Sequence, residues 1–178
     1  ITHEWQVVDD IRDHMLYFLE NHDEQRIASD FFCGSAMKAI PAAAMSLFFQ
    51  KNPFMLYSGQ EFGEMGMDKE GFSGRDGRTT IFDYWSPSTL THAYQDSADE
   101  TLTPEQKYLA ATYRQLLRLA NEEKALREGD TFDLMYVNPG SENFDPRTNF
   151  AFLRKKDDEV MLIVLNFAQE ARQLQVCI

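Results

Sequence analysis

The residues of this chain best suited to chemistry are Asn21-His22-Asp23 with Arg26, and Gly59-Gln60-Glu61. An aspartate and a glutamate brought together form paired carboxylates, the equipment of glycoside hydrolysis. One stabilises or attacks an oxocarbenium-like centre and the other handles protons. Blander roles compete. A His-Asp pair also serves as a loop cap or surface ion pair, and Glu61, between Gly59 and Gly63, suits a carboxylate that binds loop amides. A metal site from His22, Asp23 and Glu61 has no HxxxH or Cys/His spacing behind it. Phe82-Asp83-Tyr84-Trp85 suits either core or a sugar-stacking surface. His3, His14 and His92 stand without companions. There is no GxSxG elbow and no phosphate-cradling glycine loop.

In a parallel α/β fold the reactive groups stand where strands end and loops begin. Both candidates meet that condition. Met15-Leu16-Tyr17-Phe18-Leu19 is an unbroken apolar run that gives way at once to the polar Glu20–Arg26, as a buried strand does. Phe54-Met55-Leu56-Tyr57 follows Asn52-Pro53 and leads into the second candidate loop. Between them, Met37, Ile40, Ala44, Leu47 and Phe48 recur at helical steps over Ala36 to Gln50, which predicts a helix that starts near Pro41 or kinks there. Strand, loop, helix, strand, loop is the rhythm of a βαβ unit, and one sheet would bring Asp23 and Glu61 to the same edge.

Residues Met65 to Thr103 carry Gly66, Gly71, Gly74, Gly77 and Pro87 among polar and aromatic residues, the character of a functional loop or lid. A helix follows. Thr103 suits its N-cap, Pro104 its first position and Gln106 the capping box, with Leu109, Tyr113, Leu116, Leu117 and Ala120 as the apolar stripe. Phe132–Tyr136, Phe150–Leu153, Val160–Phe167 and Arg172–Ile178 then read as consecutive strands. Turn signals at Asn138-Pro139-Gly140 and Lys156-Asp157-Asp158 join them, so the sheet is expected to be antiparallel. The natural cut between domains falls near residue 126.

The 178 residues carry 17 Lys and Arg against 29 Asp and Glu, a formal net charge of −12. That excess repels phosphate backbones and anionic lipid, so neither nucleic acid nor a membrane surface is an expected partner. Hydrophobic residues make up 43% of the chain, enough for a packed core. Two cysteines, Cys33 and Cys177, form neither a disulfide framework nor a CxxC site and fix no compartment. The chain opens at Ile1, with neither an initiator methionine nor a signal-peptide pattern, as a processed or excised piece would.

Phe18-Leu19-Glu20-Asn21-His22-Asp23 resembles the fourth signature region of the α-amylase family, glycoside hydrolase family 13. Pro53-Phe54-Met55-Leu56-Tyr57-Ser58-Gly59-Gln60-Glu61-Phe62-Gly63 resembles that family's late P-x-x-x-Y-x-G-x-E-x-G segment, after the eighth barrel strand. Arg78 through Trp85 resembles the loop before the last barrel helix, and the capped helix and strands beyond it resemble the passage into the C-terminal β-sandwich.

The resemblance implies a retaining mechanism run by three carboxylates at the carboxyl face of a (β/α)8 barrel. It maps the transition-state-stabilising carboxylate onto Asp23, a sugar-binding histidine onto His22, and a position commonly arginine near the active site onto Arg26, which is expected to bind substrate with His22. Nothing here matches the family's nucleophile or acid/base motif, and a whole barrel takes about 250 residues. Residues 1–125 are therefore expected to be the last two strand–helix units of the barrel and 126–178 the start of the sandwich. The chain is expected to be inactive by itself, and its cut barrel edge to self-associate through the Phe54–Tyr57 strand. The substrate implied is an α-glucan or malto-oligosaccharide. No cofactor is implied within this stretch; a calcium ion is common in the family, but its usual ligands lie upstream. The alternative reading is a non-catalytic carbohydrate-binding or structural module on an amylase-like framework.

Overall fold

A computed structural model describes residues 2–68, 75–80, 87–95 and 98–178. The aromatic run Phe82-Asp83-Tyr84-Trp85 lies outside the described residues, as do Gly71 and Gly74. Packing divides the chain into two compact units, Ile1–Tyr17 with Pro41–Phe54 and Leu116–Ile178, and Phe18–Ile40 with Met55–Gln115.

The first expected strand is short. β1 is Tyr17–Phe18 and β2 is Phe54–Met55, paired with each other, with Tyr17 N–H donating to the Pro53 carbonyl at 3.0 Å. Asn52 Nδ2 donates to the Arg12 and Met15 carbonyls at 2.6 and 3.0 Å, so the Met15 oxygen is held by a side chain rather than by a ladder with Pro53, which has no N–H to give. The helix between the strands begins near its proline. A 3-10 turn over Ala36–Ala39 leads into α2, Ile40–Phe48, so Pro41 stands in the first turn, where a missing N–H costs nothing.

The first unit also holds α1, Thr2–Val7, the last residues of α5, Pro104–Glu122, all of α6, Lys124–Glu128, and the three-stranded antiparallel sheet β3-β4-β5. These strands are Asp130–Asp133, Asn149–Lys156 and Glu159–Asn166. β4 and β5 form a hairpin in which Lys156 faces Glu159 across the Asp157-Asp158 turn, with Asp157 at φ 52°. β3 stops three residues earlier than its apolar pattern suggests, because Asp133 Oδ1 accepts the Met135 N–H at 2.7 Å and turns the chain. Arg172–Ile178, expected to be a strand, is not one. Its backbone bonds go elsewhere: Gln175 N–H to the Glu142 carbonyl, and Cys177 N–H to the Asn138 side chain.

One core joins residues from both sides of position 126. Ala44, Met45, Leu47, Phe48 and Phe49 pack with Leu126, Phe150, Phe152, Ile163 and Leu165, and Phe49 meets Phe150 and Phe152 edge-on at 5.6 and 5.0 Å. Arg154 lies on the same face of β4 with no exposure and donates to the carbonyls of Phe48, Leu126 and Gly129. The opposite face of β4 carries Ala151, which packs with Leu134 and Phe144.

The second unit holds the loops that follow β1 and β2, residues 75–80, the helices α3 (Ser88–Ala93) and α4 (Ala98–Thr101), and the start of α5. The capping box is made as the sequence indicates: Gln106 N–H donates to Thr103 Oγ1 at 3.2 Å, and Thr103 N–H to Gln106 Oε1 at 2.9 Å. Leu109 and Tyr113 bury one face of α5, and Gln60 Nε2 donates to the Tyr113 hydroxyl at 2.9 Å.

Candidate active site

Asp23 stands at the tip of the loop that leaves β1, its side chain 69% exposed and its Oδ1 3.6 Å from His22 Nε2. The His22 side chain is 47% exposed, so both present polar atoms to solvent. The tip is shaped by Asn21, whose Oδ1 accepts the N–H of Asp23 at 2.9 Å and of Glu24 at 2.8 Å. This is the turn that Asn side chains stabilise by standing in for a backbone carbonyl.

The base of the same loop is fastened by Glu20, 2% exposed. Its Oε1 accepts the Ile27 N–H at 2.8 Å and its Oε2 accepts Arg26 Nη1 at 2.8 Å. Both ends of the intervening segment are thus tied to one carboxylate. Burial pushes the Glu20 carboxyl above its ordinary range, against the pull of the Arg26 charge and of its hydrogen bonds, while Glu64 pushes in the same direction as burial.

Arg26 is 1% exposed, and its guanidinium is engaged on every side. Nε and Nη2 donate to Thr79 Oγ1 at 2.9 and 2.6 Å, Nη2 donates to the Ser58 carbonyl at 2.8 Å, and the ring of Tyr57 lies 4.2 Å from Cζ. Its place is behind the loop that bears Asp23 rather than at the solvent face. Through it the loop after β1, the loop after β2 and the segment at Thr79 meet at one cation. Two further bonds join the first and third: Arg26 N–H to the Gly77 carbonyl at 2.6 Å, and Gln25 Nε2 to the Asp76 carbonyl at 3.2 Å. The approach is close enough to demand glycine. Gly77 adopts φ +80°, and a Cβ there would sit 2.8 Å from Ser29 Cβ.

Glu61 has the bland role. Its Oε2 accepts the Gly59 N–H at 3.0 Å, closing a loop whose ends, Gly59 and Gly63, both have positive φ. Glu64 closes the next turn by accepting the Gly66 N–H at 2.8 Å. Among the described residues no group of three or more His, Cys, Asp or Glu is gathered as a metal ion would need. No helix among the described residues is long and apolar enough to cross a membrane.

Sequence reasoning passed over Glu20, Ser58 and Thr79. Glu20 offered one weak signal, a carboxylate at the first position after an apolar strand, while Thr79 lies 53 residues from the arginine it serves.

No established family profile matches the chain. In sequence it is 32% identical over 166 residues to the α-amylase SusG of Bacteroides thetaiotaomicron, across 88% of this chain and 23% of SusG. The chain therefore spans about a quarter of the length of that relative. In fold it is similar to AmyP, solved with maltose, at TM-score 0.61 and 18% identity over 93% of this chain and 33% of AmyP. It is also similar to the maltogenic α-amylase AmyB of Thermotoga neapolitana, at TM-score 0.53 and 19% identity over 92% of this chain and 32% of AmyB. In sequence and in fold, the chain is similar to a C-terminal part of the α-amylase family, glycoside hydrolase family 13.

Proposed function

We propose that the chain is the closing segment of a retaining hydrolase or transglycosylase that acts on α-glucans. In this reading residues 1–125 complete a (β/α)8 barrel and 126–178 begin the β-sandwich behind it. Asp23 is the carboxylate that stabilises the transition state, and His22 binds the sugar beside it. The nucleophile and the acid/base come from the part of the protein that precedes this segment. A carboxylate fixed beside the sugar hydroxyls strengthens its hydrogen bonds as the ring flattens toward the oxocarbenium-like state, so it favours the transition state over the ground state. Arg26 contributes by holding the loop rather than by touching substrate.

The observation that carries this reading is the Asn21-His22-Asp23 loop. It combines two exposed polar side chains with a base locked by buried, paired charge, in a chain related to an α-amylase. Exposed groups on a rigid support are what a transition-state-binding site requires. The experiment is to assay the full-length protein and the isolated 178-residue chain for release of reducing ends from malto-oligosaccharides. The full-length protein is expected to hydrolyse or rearrange them and the isolated chain to do neither. Glycan binding without turnover by the full-length protein would favour a binding module instead, and hydrolysis by the isolated chain that Asp23→Asn abolishes would overturn the shared-site reading.

A further inference from the structure

We propose that Glu20, acting with Arg26 and Thr79, is the positioning residue of Asp23, so that the buried charge pair behind the loop sets turnover rather than only stability. The inference rests on the functional reading above and extends it to residues that never meet substrate.

The geometry is that of a clamp with several jaws. Glu20 and Ile27 are joined by the 2.8 Å bond from the Ile27 N–H to Oε1, so the base of the loop is closed by a side chain rather than by a strand ladder. The guanidinium that Glu20 holds at 2.8 Å then reaches the Ser58 carbonyl and Thr79 Oγ1, fixing the loop against two other segments. At the tip the Asn21 turn and the His22–Asp23 contact are local. Any tilt of the Arg26 plane would therefore be carried to Asp23 through a short, stiff path. A planar cation with fixed donor directions suits this task, and an ammonium would not replace it.

A shift of about 1 Å in a group that must meet a transition state costs roughly a hundredfold in rate, far more than it costs in ground-state affinity. A residue that only supports folding would change the amount of active protein and its melting temperature, leaving turnover per folded molecule intact.

The test uses the full-length enzyme, with kcat normalised to folded protein and KM measured for one malto-oligosaccharide. Glu20→Gln alone strands a buried cation, so the informative variant is Glu20→Gln combined with Arg26→Gln, which leaves no unpaired charge. Thr79→Val is the milder second variant; it keeps the ion pair and removes one jaw. The double variant is expected to lose kcat by roughly ten- to a hundredfold, with KM within about threefold, and Thr79→Val to show the same split to a smaller degree. If the double variant does not fold, Thr79→Val carries the test alone. Unchanged kcat with a lowered melting temperature in whichever variant folds would overturn the proposal. Asp23→Asn, assayed in parallel, separates the two levels. If it leaves turnover intact, the functional reading fails and this inference with it; if it abolishes turnover while the clamp variants keep theirs, only the clamp fails.

Discussion

The side-chain oxygen of Asn21 accepts the backbone N–H of Asp23 at 2.9 Å, and it accepts that of Glu24 as well at 2.8 Å. The conformation of the loop tip thus depends on the amide that precedes it. Both bonds are exposed, so their net worth to folding is about 1 kcal/mol or less each. If Asp23 acts as proposed, their worth to the site is greater. In the full-length enzyme Asn21→Ala is expected to lower kcat by roughly tenfold while moving the melting temperature by only a few degrees. Paired kinetics and thermal melts check this, and an unchanged kcat would speak against a role for the turn.

Tyr113 makes a pH-dependent prediction. Its hydroxyl is pushed up to about 12 by burial, against the bond that Gln60 donates to it. An unfolded tyrosine titrates near 10. Between those values the folded state keeps a proton that the unfolded state has lost. The stabilising contribution is therefore complete below about pH 10 and is lost as pH rises toward 12, about 3 kcal/mol in all. Ultraviolet difference titration of the full-length protein should show a phenol that ionises near pH 12 and disappears in Tyr113→Phe. Stability of that variant should fall less steeply with alkali than that of the parent. A titration curve unchanged by the substitution would contradict the assignment.

Arg154 supports the first unit without a carboxylate partner in its hydrogen bonds. It feeds three backbone carbonyls, those of Phe48, Leu126 and Gly129, and all three lose a donor in Arg154→Met. Each unmet buried acceptor costs about 1–3 kcal/mol. The variant is expected to lose about 3 kcal/mol or more, read as a lowered denaturant midpoint at unchanged slope. A loss under about 1 kcal/mol would show that the methionine packs well enough to offset the bonds.

What the sequence announced was local. The capping box needs only Thr103 and Gln106, the hairpin only Asp157 and its flanks, and the start of α2 only Pro41; each is decided within a few residues. What it hid was set at a distance. Met15 reads as strand, but the Asn52 side chain claims its carbonyl. Arg172–Ile178 has the composition of a strand and makes its backbone bonds with a loop. In the site, Asn21, His22 and Asp23 were visible as a motif. The burial of Arg26 was not, because it depends on Thr79 and Ser58, whose neighbours give no sign of an incoming cation.

Besides the Phe54–Tyr57 strand, the isolated chain offers a second face through which self-association is expected. Phe54, Met55, Leu56 and Tyr57 are half-buried, whereas Phe132, Val160, Leu162 and Val164 are large apolar residues left exposed on the β3-β4-β5 sheet. Such a face on an edge strand favours pairing with another copy. Light scattering of the isolated chain is expected to give a mass above the 20.6 kDa monomer, and Leu162→Lys to lower it. A clean monomer before the substitution would contradict this.

The most direct test is Asp23→Asn in the full-length enzyme, with kcat/KM for a malto-oligosaccharide measured beside the dissociation constant of an unreactive analogue. The substitution preserves size and the loop's backbone bonds while removing the charge. Transition-state stabilisation by Asp23 predicts that kcat/KM falls by roughly a hundred- to a thousandfold while analogue affinity changes by less than about tenfold. A parallel loss of both would make Asp23 a plain binding residue, and intact turnover would remove it from the mechanism.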